Sequence, residues 1–390
     1  MSHRQSDRRG RPWAGEGPIR LLIAGGGTGG HVLPAIAVLE ELTARGITVD
    51  ALWLGSPDGV EGDAARGAGV RFQAIQSGKL RRYLSARNVV DAFRIPVGVG
   101  QAAIAVRRFR PDVILSTGGF VSVPTVAGTL GAAPVVTHEQ TAILGLATRL
   151  NMRFRPTLAV SYPETAALAQ GYRGRVEVTG NPIRRSLNDG DAARGRATFG
   201  LSADLPVLTV MGGARGASPI NTRIEALLPG LLEAAQVVHQ TGPVGANGDL
   251  PRLEALRDTF PEPLRSRYVL REFIRTELAD LYAMTDLILA RAGAGTVAEL
   301  AGLGLPSILI PLPHAGGNEQ VRNAEVLARA GATEIVAEAD ATPDRLRSII
   351  GDLLRDDDRR RRMAGAAGGT AGPGAAARLA DLLIEIASTP

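Results

Sequence analysis

Short apolar runs alternate with segments of helical spacing along most of the chain. Seven of these runs have the length of buried strands, and they are residues 19–24, 49–54, 113–116, 135–138, 158–160, 206–211 and 287–290. After the first run, Ile36, Leu39 and Leu42 fall on one face of a helix over residues 34–42. Strands that alternate with helices predict an α/β fold whose parallel sheets are covered on both faces.

The pattern begins again near the middle of the chain. An apolar run, a glycine-rich loop and a helical segment follow one another from residue 19 and again from residue 206. Two segments of strand, glycine loop and helix predict two doubly wound domains with a ligand bound between them, near the strand ends. The expected divisions are a disordered tail (1–18), a first domain (19–184) and a second domain (185–374). Within the second domain we expect a linker at its start (186–196) and a break at its end (364–374). A final helix (375–390) can pack back on the first domain.

Composition narrows the class of protein. The 390 residues include no Cys, which excludes disulfides and thiolate metal sites. A net charge of +5 is compatible with phosphate, nucleic acid or an anionic membrane, and does not choose among them. No apolar stretch is long enough to span a bilayer, and the polar tail lacks the apolar core of a signal peptide. We therefore expect a cytoplasmic protein that can lie on a membrane.

The first glycine-rich loop, residues 25–30, contains G-x-G-x-x-G between a strand and a helix. Such a loop can bring backbone N–H groups to a phosphate, although a tight turn without a ligand remains an alternative. The dinucleotide interpretation is weakened because Asp50 stands at the start of the second strand, where an acidic residue is needed at its end. His31 follows the loop directly, so it is either a general base or a residue that only hydrogen-bonds the backbone.

Further polar groups follow other predicted strands. Glu139, after the strand at 135–138, can orient His31, accept a proton or lie in a surface loop. Arg184 follows a Pro turn and can bind a diphosphate or lie at the surface. Glu299 falls early in a helix, where it can hold ribose hydroxyls or complement the helix dipole. No His or Cys spacing indicates a metal site, so none is expected.

These motifs together resemble the MurG family, the peripheral-membrane N-acetylglucosaminyltransferases of peptidoglycan synthesis. The resemblance covers residue 20 to the C-terminal helix. The residues that carry it are 25–31 with Pro34 and Ala35, 117–120 with Val123 and Pro124, 138–140, 180–182 with Arg184, 212–213 with 216–217, Asn221, and 296–299.

The resemblance implies the GT-B architecture, in which two Rossmann-like domains face a central cleft. It implies transfer of GlcNAc from UDP-GlcNAc to the C4 hydroxyl of MurNAc in lipid I, undecaprenyl-diphospho-MurNAc-pentapeptide, with inversion and formation of lipid II. No cofactor is expected, and no nucleic acid. The expected partners are UDP-GlcNAc, lipid I and an anionic inner-leaflet surface on the cytoplasmic face of the cell membrane. Residues 79–110, basic and apolar, would form the membrane patch, although ordinary core-facing helices are the alternative.

The resemblance also assigns roles to residues. His31 is expected to be the base, with Glu139 as the second catalytic residue. Ile274 is expected at the uracil, Glu299 at the ribose, and Glu319 with Gln320 at the sugar. The full donor-binding set is Thr28, Gly29, Thr141, Arg184, Gly213, Ala214, Ile274, Thr296, Glu299, Glu319 and Gln320. The loop residues expected at the acceptor and its diphosphate are Gly26, Gly27, Gly30, Gly118 and Gly119.

Four positions depart from the family pattern. Ala214 and Ala292 stand where Ser is common, Thr141 where Asn is usual, and Glu319 where Gln is usual. Two other functions compete with this one. Another GT-B transferase would act on a different lipid or a small acceptor, and an oxidoreductase or non-catalytic nucleotide-binding protein would bind NAD or a nucleotide alone.

Overall fold

The computed structural model describes residues 13, 15, 17–78, 86–370 and 374–389. The chain divides into two compact units. The first unit comprises Met1–Gln140, Leu144–Pro182 and Gly374–Pro390, and the second comprises Thr141–Ile143 and Ile183–Pro373. Most of the expected tail, and residues 79–85 of the expected membrane patch, lie outside the described residues.

Parallel strands form a seven-stranded sheet in the first unit. They are β1 (Ile19–Gly25), β2 (Val49–Gly55), β3 (Arg71–Ala74), β4 (Val113–Gly118), β5 (Val135–Glu139), β6 (Thr157–Val160) and β7 (Val176–Val178). Their order is β3-β2-β1-β4-β5-β6-β7. The direction of strand addition reverses between β1 and β4, and ligands of such sheets bind at this switch point, beyond the carboxyl ends of the strands.

Helices cover the first sheet. They are α1 (Gly29–Ala44), α2 (Glu61–Gly67), α3 (Ala86–Phe109), α4 (Ser122–Thr129), α5 (Leu146–Asn151) and α6 (Pro163–Ala167), with a 3-10 turn at Met152–Phe154. On α1 the buried residues Val32, Ala35, Val38 and Leu42 recur at helical spacing and join the core against β1. Burial of both sheet faces explains why the inner strands β1, β4, β5 and β6 are mainly apolar, whereas the edge strand β3 is largely exposed and polar.

The second unit repeats this topology. Its strands are β8 (Val207–Met211), β9 (Gln236–Gln240), β10 (Tyr268–Arg271), β11 (Leu287–Ala290), β12 (Ser307–Leu309) and β13 (Thr333–Ile335). All pairs are parallel, in the order β10-β9-β8-β11-β12-β13. The switch point therefore lies between β8 and β11, as it lies between β1 and β4 in the first unit. The predicted pair of doubly wound α/β domains is confirmed.

The helices of the second unit follow the same alternation. They are α7 (Ala192–Phe199), α8 (Ser218–Glu225), α9 (Leu228–Ala234), α10 (Val244–Asn247), α11 (Asp249–Asp258), α12 (Glu262–Arg265), α13 (Leu278–Met284), α14 (Ala294–Leu303), α15 (Glu319–Arg329), α16 (Pro343–Arg355) and α17 (Asp357–Thr370). Short 3-10 segments lie at Arg185–Asp189, Gly316–Asn318 and Glu338–Asp340.

Two segments expected to be irregular are helical. The expected linker contains the 3-10 segment Arg185–Asp189 and most of α7, whose N-terminus is capped by Asp191 through the N–H of Arg194 at 2.7 Å. The expected break is helical as far as Thr370, because Met363 and Ala367 on α17 are buried. Burial of this face outweighs the low helix propensity of the glycines in α17.

The last helix, α18 (Ala375–Ser388), belongs to the first unit. Leu379 and Leu383 are buried in the same core as α1. Trp13, within the expected tail, packs against this core and donates its backbone N–H to Ala387 O at 2.8 Å. The backbone at Trp13 is therefore anchored on the end of α18.

Candidate active site

The first glycine loop connects β1 to α1 at the switch point. Thr28, the N-cap residue of α1, is exposed with extended backbone angles. Gly27 has φ +88°, a conformation that favours glycine. A Cβ at Gly26 would lie 2.2 Å from the carboxyl carbon of Glu61, so only glycine fits there. The loop is therefore held close to α2.

A second pair of glycines lies at the end of β4. Gly118 has φ +94°, and a Cβ there would lie 2.9 Å from His31 Nδ1. Gly119 has φ +79°, and its Cβ would lie 2.1 Å from Gly26 O. The two glycine segments thus approach each other directly. The structure therefore brings the segment at Gly26 and Gly27 next to the segment at Gly118 and Gly119.

His31 stands in the first turn of α1, and its ring is half-buried. Its Nδ1 lies 3.0 Å from Thr117 O and 3.2 Å from Gln140 Oε1. A carbonyl oxygen only accepts hydrogen bonds, so Nδ1 carries the proton of the neutral ring. The lone pair of that ring is consequently on Nε2, and this is the atom that can accept a proton.

Glu139 is buried at the end of β5. Its Oε2 accepts the N–H of Gly145 at 2.8 Å and the hydroxyl of Thr148 at 2.6 Å. These bonds fix the start of α5. The side chain that contacts His31 Nδ1 is the amide of Gln140, a residue that the sequence did not identify as part of the site. Its position directly after His138 and Glu139 was the available signal.

A buried hydrogen-bonded chain lies behind His31. Gln140 Nε2 donates to Thr117 O at 2.7 Å and lies 3.2 Å from His138 Nδ1. His138 Nε2 lies 2.9 Å from Gly180 O. Burial lowers the pKa of the His138 imidazole to about 4, so this ring is neutral near pH 7. It therefore donates from Nε2 to Gly180 and accepts at Nδ1.

The second glycine loop connects β8 to α8 at the switch point of the second unit. Gly213 and Gly216 have φ +84° and +72°. A Cβ at Gly216 would lie 2.1 Å from Thr241 O, so the loop packs tightly on the end of β9. Ala214 is exposed. Backbone N–H groups at such a loop and helix N-terminus suit a diphosphate.

Buried polar groups support this second loop. Asn221 Nδ2 donates to Thr241 O at 3.0 Å, and its Oδ1 lies 2.9 Å from His239 Nε2. Burial lowers the pKa of His239 to about 3, so it is a neutral donor to Asn221. Asp249 Oδ2 accepts from Asn221 and from Ser218. A fully paired network of this kind rigidifies the loop above it.

Glu299 is buried in α14, with 8% of its surface exposed. Its Oε2 accepts the hydroxyl of Tyr282 at 2.7 Å. Burial raises the pKa of Glu299, while Tyr282 and the charge of Arg184 oppose that rise. Arg184 also acts electrostatically on Tyr282, and its buried Nε has no hydrogen-bond partner in the described structure. These three residues, from separate segments of the second unit, therefore interact with one another.

The remaining predicted donor contacts are distributed over both units. Thr28 and Gly29 lie in the first unit, and Ile274 and Thr296 lie in the second. Ile274 is buried. Thr141, whose hydroxyl donates to Ile143 O at 2.8 Å, belongs to the short segment assigned to the second unit.

The loop before α15 has unusual backbone angles. His314 and Asn318 have φ +56° and +58°, and Gly317 has φ +73°. Gln320 Oε1 accepts the N–H of Leu312 at 2.9 Å, and this bond holds the loop. The side-chain Nε2 of Gln320 is then the group that can donate a hydrogen bond. Glu319 follows Asn318 at the start of α15, so both residues expected at the sugar stand in one turn.

No helix in the described part of the chain is both long and apolar enough to cross a membrane. No group of three or more His, Asp or Glu residues is arranged to hold a metal ion within the same residues.

Comparison with known proteins identifies the two units. Residues 21–160 match the glycosyltransferase family 28 N-terminal domain, and residues 207–379 match the glycosyltransferase family 28 C-terminal domain. Curated relatives are named UDP-N-acetylglucosamine--N-acetylmuramyl-(pentapeptide) pyrophosphoryl-undecaprenol N-acetylglucosamine transferase. That of Treponema pallidum (strain Nichols) is 37% identical over 92% of both chains. That of Treponema denticola is 36% identical over 85% of this chain and 88% of the relative.

Solved structures have the same architecture. MurG of Acinetobacter baumannii is 26% identical, covers 94% of this chain and all of its own, and has a TM-score of 0.70. The UDP-GlcNAc 2-epimerase of Neisseria meningitidis is 14% identical, covers 94% of this chain and 99% of its own, and has a TM-score of 0.67. At that identity the epimerase shares the fold alone.

Proposed function

The chain belongs to the MurG family of glycosyltransferases, and from that membership we propose that it transfers GlcNAc from UDP-GlcNAc to the C4 hydroxyl of MurNAc in lipid I. It is a hexosyltransferase of peptidoglycan synthesis, the process that supports cell shape and division. The product of the proposed reaction is lipid II, and the configuration at the anomeric carbon is inverted.

The donor is assigned to the second unit. The open backbone of the loop at 212–217, supported from below by Asn221, suits the diphosphate. Glu299 is assigned to the ribose hydroxyls, Ile274 to the uracil, and Glu319 with Gln320 to the GlcNAc hydroxyls. Arg184 supplies positive charge to the same unit and stabilises the departing UDP.

The acceptor is assigned to the first unit. Two glycine segments approach there, and His31 directly follows one of them. The observation that carries the catalytic assignment is the contact of His31 Nδ1 with Thr117 O, because it places the proton of the neutral ring on Nδ1 and the lone pair on Nε2. Nε2 removes the proton of the C4 hydroxyl as its oxygen attacks the anomeric carbon. The bond from that carbon to UDP breaks with its electron pair, so no covalent intermediate with the protein forms.

Membrane association on the cytoplasmic face is part of the proposal. On α3, Val97 and Ile104 are 53% and 50% exposed and lie seven residues apart, which places them on one face. Arg108 stands four residues after Ile104, in the last turn. Exposed apolar side chains beside arginine suit an anionic lipid surface.

Vesicle sedimentation tests the membrane proposal. Wild type should bind vesicles that contain anionic lipid more strongly than zwitterionic vesicles, and binding should weaken as salt is added. Ile104→Asp should reduce binding. Exposed Leu168, on the segment after α6, offers a matched control as Leu168→Asp. Equal binding of wild type and Ile104→Asp would remove α3 from the proposal.

UDP release by the purified protein tests the reaction. With UDP-GlcNAc and a soluble lipid I analogue, we expect release of UDP together with a disaccharide product. Turnover with other lipid or small-molecule acceptors, but none with the lipid I analogue, would instead support a different GT-B transferase.

A further inference from the structure

The side-chain amide of Gln140 lies between two histidines at the end of β5. Its Oε1 is 3.2 Å from His31 Nδ1, and its Nε2 is 3.2 Å from His138 Nδ1. Nε2 also donates to Thr117 O at 2.7 Å and to His138 O at 3.1 Å. Gln140 is 2% exposed, so these contacts are shielded from water.

The partners of Gln140 determine which way its amide points. Thr117 O and His138 O only accept hydrogen bonds, so the amide nitrogen must face them. His138 strengthens this requirement, because its Nε2 donates to Gly180 O and its Nδ1 is left as an acceptor. The amide oxygen therefore faces His31. A reversed amide would set oxygen against two carbonyl oxygens and an N–H group against the N–H of His31.

We propose that Gln140 is a positioning residue that, together with Thr117 O, holds His31 with its proton on Nδ1 and its lone pair on Nε2. This inference rests on the proposed role of His31 as the base. His138 acts one step further away, because it fixes the orientation of the Gln140 amide.

The arrangement also stabilises the ring after proton transfer. When the O–H bond of the C4 hydroxyl breaks, its proton moves to Nε2 and the ring becomes an imidazolium. The Nδ1–H group then donates to Thr117 O and Gln140 Oε1 as a charge-assisted donor, and such bonds are stronger than neutral ones. The acceptor oxygen keeps the electron pair and forms the new bond to the anomeric carbon, while UDP leaves with the other pair.

A neutral amide has a different effect from a carboxylate at this position. A carboxylate within hydrogen-bonding distance of Nδ1 would favour the protonated ring before the acceptor arrives. Gln140 orients His31 without adding charge. Other titratable groups at this edge of the sheet include His138 and Glu139 on β5, and Glu61 on α2.

Nitrogen-15 NMR of the histidine-labelled wild-type protein tests the proposed tautomer without any assay of activity. The His31 signals, assigned by their loss in His31→Asn, should show a protonated Nδ1 and an unprotonated Nε2 for the neutral ring. A ring protonated at Nε2 would overturn the proposal. The NMR measurement of the tautomer does not depend on turnover. Absence of turnover with the lipid I analogue would contradict the proposed function, whereas the NMR result alone decides this inference.

Removal of the amide tests the positioning role. Gln140→Met should lower kcat about 10- to 100-fold, the size expected for one lost hydrogen bond to a charged group. The affinity for UDP, a property of the second unit, should stay within about twofold. The matched control is Gln236→Met, since Gln236 is 2% exposed and its amide bonds to the segment at 202–205. An unchanged kcat in Gln140→Met would overturn the proposal.

Replacement by a carboxylate gives a second test, which applies even where Gln140→Met does not fold. Gln140→Glu should move the acidic limb of the pH–rate profile upward by about one unit or more, as expected for an opposite charge next to the ring. The same shift should be visible in the NMR titration of His31. Profiles and titrations that superimpose on those of wild type would contradict direct contact between residue 140 and His31.

Discussion

The Oε2 atom of Glu61 accepts a hydrogen bond from the backbone N–H of Gly27 at 3.0 Å. Its Oε1 accepts from both the N–H and the hydroxyl of Ser56, each at 2.6 Å. Glu61 is fully buried, although it stands at the start of the short helix α2. A single carboxylate therefore ties the glycine loop before α1 to the end of β2.

Glu61→Gln should destabilise the first unit. Burial raises the pKa of Glu61, but the hydrogen bonds from Ser56 and Gly27 outweigh it and hold the pKa below its ordinary value. The carboxylate thus stabilises the fold above its ordinary pKa of about 4.3, and this contribution is lost as the pH falls through the lower, folded-state value. The amide keeps one acceptor only, so the free energy of unfolding at pH 7 should fall by about 1–3 kcal/mol.

Denaturant unfolding of both proteins between pH 3 and 7 measures this effect. The wild type should lose stability more steeply than Glu61→Gln at the acid end. Asp63→Asn is the matched control, because the side chain of Asp63 on the same helix is 87% exposed. Equal stability of Glu61→Gln and wild type at every pH would show that the carboxylate does not hold the loop.

Tyr282→Phe should weaken donor binding through Glu299. The hydroxyl of Tyr282 donates to Glu299 Oε2, and burial raises the pKa of the tyrosine well above its ordinary value, so it remains a donor. Without this bond the carboxylate is poorly held for the ribose, and the Kd for UDP should rise about tenfold or more. Calorimetric titration with UDP measures this Kd.

An analogue of the donor nucleotide separates the proposed role of Glu299, which is to bind the ribose, from that of Tyr282, which is to hold Glu299 in place. Wild type should bind UDP more tightly than 2′-deoxy-UDP, and Tyr282→Phe should discriminate less between them. Tyr172→Phe is the control, since that hydroxyl bonds to Pro156 O in the first unit. No discrimination by wild type would remove Glu299 from the ribose, whereas full discrimination by Tyr282→Phe would remove only Tyr282 from the account.

Ala214→Ser should improve donor binding. Ala214 is exposed in the second glycine loop, at a position where the family resemblance implies Ser. An added hydroxyl can donate to the diphosphate, and one net hydrogen bond corresponds to about a two- to tenfold lower KM for UDP-GlcNAc. Ala226→Ser, at the exposed C-terminal end of α8, is the control. An unchanged or higher KM would indicate that the loop backbone carries the contact alone.

The α/β class was predictable because seven of the thirteen strands in the described residues are short, mainly apolar runs, each followed by a glycine or a polar residue. The other six strands, β3, β7, β9, β10, β12 and β13, were not predicted. Residues 287–290 were predicted and observed without change, and β1 differs by one residue. The helical part of the expected linker was missed for a local reason. Residues 192–199 are rich in Arg, Gly and Ala, and it is packing of α7 against α13 through Arg194 and Asp280 that favours the helix.

The site was predictable only where a motif carries it. His31 follows a glycine loop, and its partner Thr117 lies near the end of a recognisable strand. Glu61 gave no such signal, because a carboxylate in the first turn of a short helix is usually solvated. The contact between Gln140 and His31 spans 109 residues and depends on β4 and β5 being neighbours in the sheet. Sequence spacing alone does not contain that information.

Turnover of His31→Asn is the most direct test of the account. The amide nitrogen of Asn can take the place of Nδ1 and keep the bond to Thr117 O, but no group replaces Nε2. We predict a kcat lowered about 10²- to 10⁴-fold, the usual contribution of a general base, with the Kd for UDP unchanged. A His31→Asn variant with near-normal kcat on the lipid I analogue would contradict the assignment of His31 as the base.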